Sequence, residues 1–212
     1  MSNFPLKIPI ACVATKIKYP CAFPAGLLET ARVVLTANNI NASIVYVCGG
    51  KANEYNNKNN WGYGPNDIRI DIDESVNPEI LMDVRHLDKN IIEKPGVKKI
   101  VIKDMRGKNF TTKLFDAALI DRDYNEFHAA RHKTGESTWP SNLTKLTKDT
   151  FKLVKPGGLV GVFDFKKPSM GDKYRQLYSI QVLLPGNQAI RQLTVWQERK
   201  LPKSIKAFSV GL

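Results

Sequence analysis

Leu143–Phe165 reads LTKLTKDTFKLVKPGGLVGVFDF, and its punctuation decides the fold. The pattern predicts a helix over the first half, a stop at Lys155-Pro156-Gly157-Gly158, and a strand after it. Proline cannot continue a helix, and glycine takes the left-handed conformation that closes one. Leu159–Phe163 is a near-continuous apolar run, as a strand covered on both faces requires.

Further strands are expected on both sides of this stretch. Upstream, Phe23–Ala37 predicts a helix with Leu27, Leu28, Ala31, Val34 and Leu35 on one face and Pro24 near its start. Asn38-Asn39 ends it. Ala42–Val47 is the next expected strand, closed by Cys48-Gly49-Gly50. Asp67–Glu74, DIRIDIDE, alternates and then turns, and Glu79–Arg85 reads as a third strand. Phe115–Asn125, FDAALIDRDYN, is a fourth. Downstream, Tyr178–Leu184 and Gln192–Gln197 are two strands joined through Pro185-Gly186-Asn187.

In order, Ala42–Gln197 gives strand–GG–strand–Asp–strand–Asp–strand–DRDY–helix–KPGG–strand–hairpin. This order resembles the class I S-adenosylmethionine-dependent methyltransferases. The resemblance implies a three-layer Rossmann-like α/β fold. Its mixed seven-stranded sheet ends in an antiparallel C-terminal hairpin, with the last strand inserted beside the fifth. It also implies S-adenosyl-L-methionine as cofactor. Cys48, Gly49 and Gly50 then form the turn against the cofactor, Asp71 (with Asp73 second) meets the ribose hydroxyls, and Asp83 with Val84 lies near the adenine. A carboxylate suits the ribose because it accepts two hydrogen bonds from a vicinal diol. Acidic residues after strands also cap turns, and a glycine pair also makes a tight turn.

The resemblance places catalytic groups at the end of the fourth strand, at Asp121, Asp123 and Tyr124. Asp121 orients the acceptor, Asp123 takes its proton, and Tyr124 packs against a planar substrate. The chain departs from the family at two points. It has adjacent glycines where the family has a spaced Gly-x-Gly, and Arg122-Asp123 where amine-methylating members carry two prolines. An inactive fold serving as a nucleic-acid-binding or scaffolding module is the alternative. A small-molecule or protein methyltransferase is another.

The 212 residues carry 32 Lys+Arg against 20 Asp+Glu, a net charge of +12. That excess favours an anionic partner, nucleic acid (RNA or DNA) above all, and leaves a protein partner open. Residues 86–114 read as a basic insertion with an edge strand or hairpin, bearing Lys98, Lys99, Lys103, Arg106, Lys108 and Lys113. Residues 166–175 form a second basic stretch. A Lys-bearing edge also guards against sheet-to-sheet aggregation. Residues 51–66 read as a long polar loop, whose Tyr55, Trp61 and Tyr63 either stack on bases or pin the loop down.

No apolar run reaches the roughly 18 residues of a membrane span. The N-terminus lacks a signal-peptide pattern, and Cys12, Cys21 and Cys48 fit reduced thiols. An intracellular, cytoplasmic chain is expected, with no membrane role. His128 and His132 share i, i+4 spacing but have no evident third ligand, so no metal is expected. A single domain over 1–212 is expected, with an N-terminal arm over 1–22 and a basic tail over 198–212.

Overall fold

The computed structural model describes residues 23, 26–57, 60–93, 99–122, 142–183 and 190–199. The N-terminal arm, Pro24, Lys98, Asp123, Tyr124, His128, His132, Trp139-Pro140, the turn at Pro185-Gly186-Asn187 and most of the basic tail lie outside these residues.

One mixed sheet of seven strands organises the chain. Helix α1 (Leu27–Thr36) leads to β1 (Ile44–Val47). Short strands β2 (Asn56–Asn57) and β3 (Asn60–Trp61) pair with each other, followed by β4 (Ile68–Asp71) and β5 (Ile80–Leu81). Helix α2 (Leu87–Asn90) precedes β6 (Ile91–Glu93), β7 (Lys99–Lys103) and β8 (Asn109–Lys113), which make a separate three-stranded antiparallel sheet. The main sheet resumes with β9 (Phe115–Ile120), helix α3 (Leu143–Thr150), and strands β10 (Val154–Asp164), β11 (Tyr174–Leu183) and β12 (Ile190–Glu198).

The order across the sheet is β11-β12-β10-β9-β1-β4-β5. Strands β5, β4, β1, β9 and β10 are parallel, and β12 lies antiparallel between β10 and β11. The last strand is therefore inserted beside β10, as expected. The chain steps outward from β1 to β5, then returns to the other flank of β1 with β9. That reversal makes the carboxyl ends of β1 and β9 a topological switch point, where ligands bind in open α/β sheets.

Strand alternation builds two cores. Val45, Val47, Ala118, Ile120, Val160 and Val162 point to one face, with Leu143 and Leu146 of α3. Ile44, Tyr46, Ala117, Leu119 and Phe163 point to the other, with Leu27, Leu28, Ala31 and Leu35 of α1. The period of two sends successive residues to opposite faces, so an all-apolar strand needs cover on both. Three layers result.

Several boundaries differ from the sequence pattern. Helix α3 ends at Thr150, and a 3-10 turn over Phe151–Leu153 closes it before Pro156 is reached. Lys155-Pro156-Gly157-Gly158 instead loops out of β10, since Val154 pairs with Phe115 and Leu159 with Ala117. Gly157 takes a left-handed φ of 85° within this loop, where it does not close the helix. Gly158 is required by contact: a Cβ there would lie 2.3 Å from Val154 Cγ1 and 2.6 Å from the Asp116 carbonyl oxygen.

The third parallel strand is only Ile80–Leu81. Its continuation is taken up by the β7–β8 turn: the Leu81 N–H donates to Asp104 Oδ2 at 2.9 Å, and the Met105 N–H donates to the Leu81 carbonyl at 2.9 Å. The stretch expected as a long loop at 51–66 holds a 3-10 turn over Ala52–Tyr55 and the β2–β3 pairing. Tyr63 pins it, packing 5.3 Å from the Tyr46 ring and donating to the Asp67 carbonyl at 3.0 Å.

Candidate active site at the carboxyl edge of the sheet

Strand β1 ends in a tight turn. Cys48 has φ 58° and Gly50 φ 44°, so the chain reverses within three residues. Gly49 still donates its N–H to the Ile70 carbonyl at 3.1 Å, which keeps the turn against β4. A Cβ on Gly49 would lie 2.9 Å from the Arg69 Cβ. Gly49 thus serves the packing of Arg69, and Gly50 takes the left-handed φ that the turn requires.

Arg69 is buried beneath this turn. Its guanidinium donates to the Gly50, Val76 and Asn77 carbonyls and, at 2.9 and 3.0 Å, to the Glu79 carboxylate. One side chain therefore fixes the turn after β1 to the segment between β4 and β5. Burial pushes the Glu79 carboxyl up, and hydrogen bonds from Arg69 outweigh it, leaving the group below its ordinary range.

Asp71 stands at the end of β4. Its Oδ2 accepts the Gly50 N–H at 2.8 Å, and its Oδ1 accepts the Asp73 N–H at 3.0 Å. Asp71 is half-buried at this edge. Asp73 accepts the Ser75 N–H at 2.8 Å and caps the 3-10 turn over Glu74–Val76.

Asp83 is more heavily engaged. It caps the 3-10 turn Val84–His86 by accepting the Arg85 N–H at 2.9 Å, and the Arg85 guanidinium binds both its oxygens. Burial raises its pKa, but the Arg85 hydrogen bonds outweigh that and hold it below the ordinary value. Val84 beside it is buried and packs in the core around β4 and β5.

Across the switch point, β9 delivers Asp121 and Arg122. The two are separated by the neighbouring strands. Asp121 binds Arg191 of β12, while Arg122 turns inward and binds Asp164 at the end of β10. Arg122 therefore neutralises Asp164, and Arg191 neutralises Asp121. Arg191 also donates to the Phe163 carbonyl at 2.6 Å and stacks on the Phe163 ring at 3.7 Å. Beside them, Arg122, Asn142, Leu143, Thr144, Lys166 and Lys167 border an open pocket of about 410 Å³. The structure thus gathers Cys48, Gly50, Asp71 and Asp121 along one edge. Asp73, Asp83 and Val84 lie on the turns flanking it.

No protein-family model and no curated protein matches the sequence. Among solved structures, TrmN from Thermus thermophilus overlaps 84% of this chain at 11% identity and TM-score 0.48. The chain spans about half of that protein, 49% of its length. The O-methyltransferase TomG from Streptomyces achromogenes, in complex with SAM, overlaps 81% of this chain and 78% of its own at 12% identity and TM-score 0.41. Rv0187 from MTB, cofactor-bound, overlaps 90% of this chain and 85% of its own at 10% identity and TM-score 0.43.

Sequence reasoning missed the buried pairings of four arginines. Arg32, Arg69, Arg122 and Arg191 are all buried, and each pairs with a carboxylate. A signal existed for two of them. Arg32 falls on the same helical face as Leu28 and Leu35, and Arg69 interrupts Ile68 and Ile70. A charged residue at a core position is rarely buried unless paired.

Proposed function

We propose that this chain binds S-adenosyl-L-methionine at the carboxyl ends of β1, β4 and β5 and transfers its methyl group to nucleic acid. The observation that carries the reading is the Gly50–Asp71 junction at the ends of β1 and β4, next to the switch point. There a left-handed glycine turn meets a strand-end carboxylate at the carboxyl edge of the sheet. Bound there, the cofactor would supply an electrophilic methyl group on a sulfonium.

The chain's own residues have three tasks. Asp71 holds the ribose hydroxyls, and the Cys48–Gly50 turn lets the backbone approach the amino-acid portion. Asp83 and Val84 border the adenine, with Asp83 contributing mainly as the cap that shapes that wall. Asp121, at the end of β9, orients the acceptor, and Asp123 and Tyr124 follow it in sequence. Holding reactants in line supplies much of the rate in such a transfer. A nucleic-acid acceptor is supported by the net charge of +12 and by exposed Lys166 and Lys167 at the pocket that Arg122 borders.

A second reading rests on the Asp121–Arg191 ion pair. That pair occupies the residue offered for orienting the acceptor, and it suits a fold that binds nucleic acid without catalysis. Calorimetry with S-adenosylmethionine and transfer of a labelled methyl group to RNA or DNA test both. Binding with transfer supports the first reading, binding of nucleic acid without transfer supports the second, and no cofactor binding defeats the first.

A further inference from the structure

The three-stranded sheet β6–β7–β8 is tied to the domain through one face. Ile100 and Ile102 are buried in the main core, with Ile91 and Phe110 packed against it. The opposite face carries Lys99, Val101 and Lys103 of β7, and Asn109, Thr111 and Lys113 of β8. Residues two apart on a strand share a face, so these six lie on one face, with Val101 buried between the exposed polar residues. Lys99, Lys103, Asn109, Thr111 and Lys113 are exposed, and Lys108 is exposed in the adjoining turn.

Two features of this face are unusual. Lys99 and Lys113 are direct cross-strand partners. Like charges directly opposite in an antiparallel pair destabilise it. Among the described residues, no carboxylate forms an ion pair with Lys99, Lys103, Lys108 or Lys113. Edge protection explains Lys113, because β8 is an edge strand. It does not explain Lys99 and Lys103, which stand on the central strand β7.

The face also has a fixed direction. At one end, the β7–β8 turn is docked on β5 by Asp104 and Met105 against Leu81, beside the carboxyl edge of the main sheet. At the other, β8 runs on through Leu114 into the start of β9. Lys99 and Lys103 are four residues apart on β7, roughly 13 Å at the usual strand rise. The row therefore runs along the domain toward the edge that holds Asp71.

We infer that the outer face of β7 and β8 is a docking surface for the phosphate backbone of a nucleic acid, leading a strand to the carboxyl edge. The inference rests on the proposed nucleic-acid substrate and adds where that substrate is held. Phosphates between Lys99 and Lys113 relieve a repulsion that the free protein carries, and Thr111 and Asn109 supply neutral donors between the ammonium groups. Phosphate recognition of this kind carries no sequence information.

The test uses the full chain and its Lys99→Gln/Lys113→Gln variant. A 20-nucleotide RNA is titrated over a range of salt, with S-adenosylmethionine affinity and labelled methyl transfer measured in parallel. Each phosphate that the protein no longer neutralises lowers the log–log salt slope by about 0.7 for a single strand. With two lysines replaced, the slope is expected to fall by about 1.4. The variant should keep wild-type cofactor affinity and keep or raise its Tm, since a repulsion is removed. An unchanged slope, or a Tm that falls, overturns the docking surface alone. A wild-type chain that binds RNA with a slope reduced in the variant, yet transfers no methyl, overturns the methyltransferase reading and leaves the docking surface standing. A wild-type chain that binds no RNA at low salt overturns both.

Discussion

The Gly50 N–H donates to the Asp71 carboxylate at 2.8 Å, joining the turn after β1 to the end of β4. The same carboxylate accepts the Asp73 N–H, so one group shapes both sides of the candidate cofactor crevice. Asp71→Ala removes those two anchors together with the ribose acceptor. Affinity for S-adenosylmethionine by calorimetry is expected to fall at least tenfold, about 1.4 kcal/mol. Asp71 is half-exposed, so the thermal unfolding midpoint should change little. Wild-type affinity in the variant removes Asp71 from the site.

Arg32 and Asp67 form a fully buried ion pair that joins α1 to the start of β4. Asp67 also accepts the Ile44 N–H at 2.8 Å, the Gly64 N–H at 2.7 Å and the Tyr46 hydroxyl at 3.3 Å. Arg32 donates in addition to the Gly62, Asn39 and Ala42 carbonyls. Removing one partner of a buried pair costs about 3–5 kcal/mol, because the other charge is left without compensation. Asp67→Ala is expected to lose that much in urea unfolding, a large share of a typical domain's stability. A loss under about 1 kcal/mol would show that the pair does not hold α1 to the sheet.

The main sheet was legible in the sequence because its signals are local. Apolar runs such as Leu159–Phe163 and Ile44–Val47 fix strands covered on both faces, and their order with the C-terminal hairpin fixes the layout. What escaped depends on contacts distant in sequence. The short β5 could not be read from Glu79–Arg85, since it is completed by Asp104 and Met105 from beyond α2. The separation of Asp121 from Arg122 was hidden for the same reason: each turns to a partner on a later strand. The acidic residues stand out by motif, whereas their partners Arg85 and Arg191 emerge only from the packing.

Asp104 couples the basic sheet to β5, and acid should uncouple them. The Arg106 guanidinium holds the Asp104 carboxyl down to about 2, working against burial and helped by the Arg106 and Leu81 N–H groups. The folded value lies below the unfolded one of about 4, so the contribution is complete above pH 4 and is lost as pH falls through 2. It amounts to on the order of 2 kcal/mol. Asp104→Asn is expected to be less stable than wild type at pH 7, with the difference shrinking between pH 4 and pH 2. A difference that stays constant over that window rules out the Asp104 titration as its source.

Asp121 and Arg191 offer the sharpest test of chemistry, because two accounts of the pair predict opposite behaviour. If Asp121 orients the acceptor, Arg191 is a positioning residue that aims the carboxylate while stacking on Phe163. If the pair only closes the end of β9 onto β12, the carboxylate has no part in transfer. Asp121→Ala alone leaves a buried guanidinium without its partner, so reduced activity in that variant could reflect impaired folding. The double variant Asp121→Ala/Arg191→Met removes both charges and keeps an apolar side chain over Phe163. It should stay closer to wild type in unfolding midpoint than Asp121→Ala does and retain cofactor affinity. Its transfer of labelled methyl to RNA should fall by about 10² or more, the scale of loss when a reacting group is misplaced by about 1 Å. A double variant that binds cofactor and transfers methyl at the wild-type rate moves the catalytic role away from Asp121.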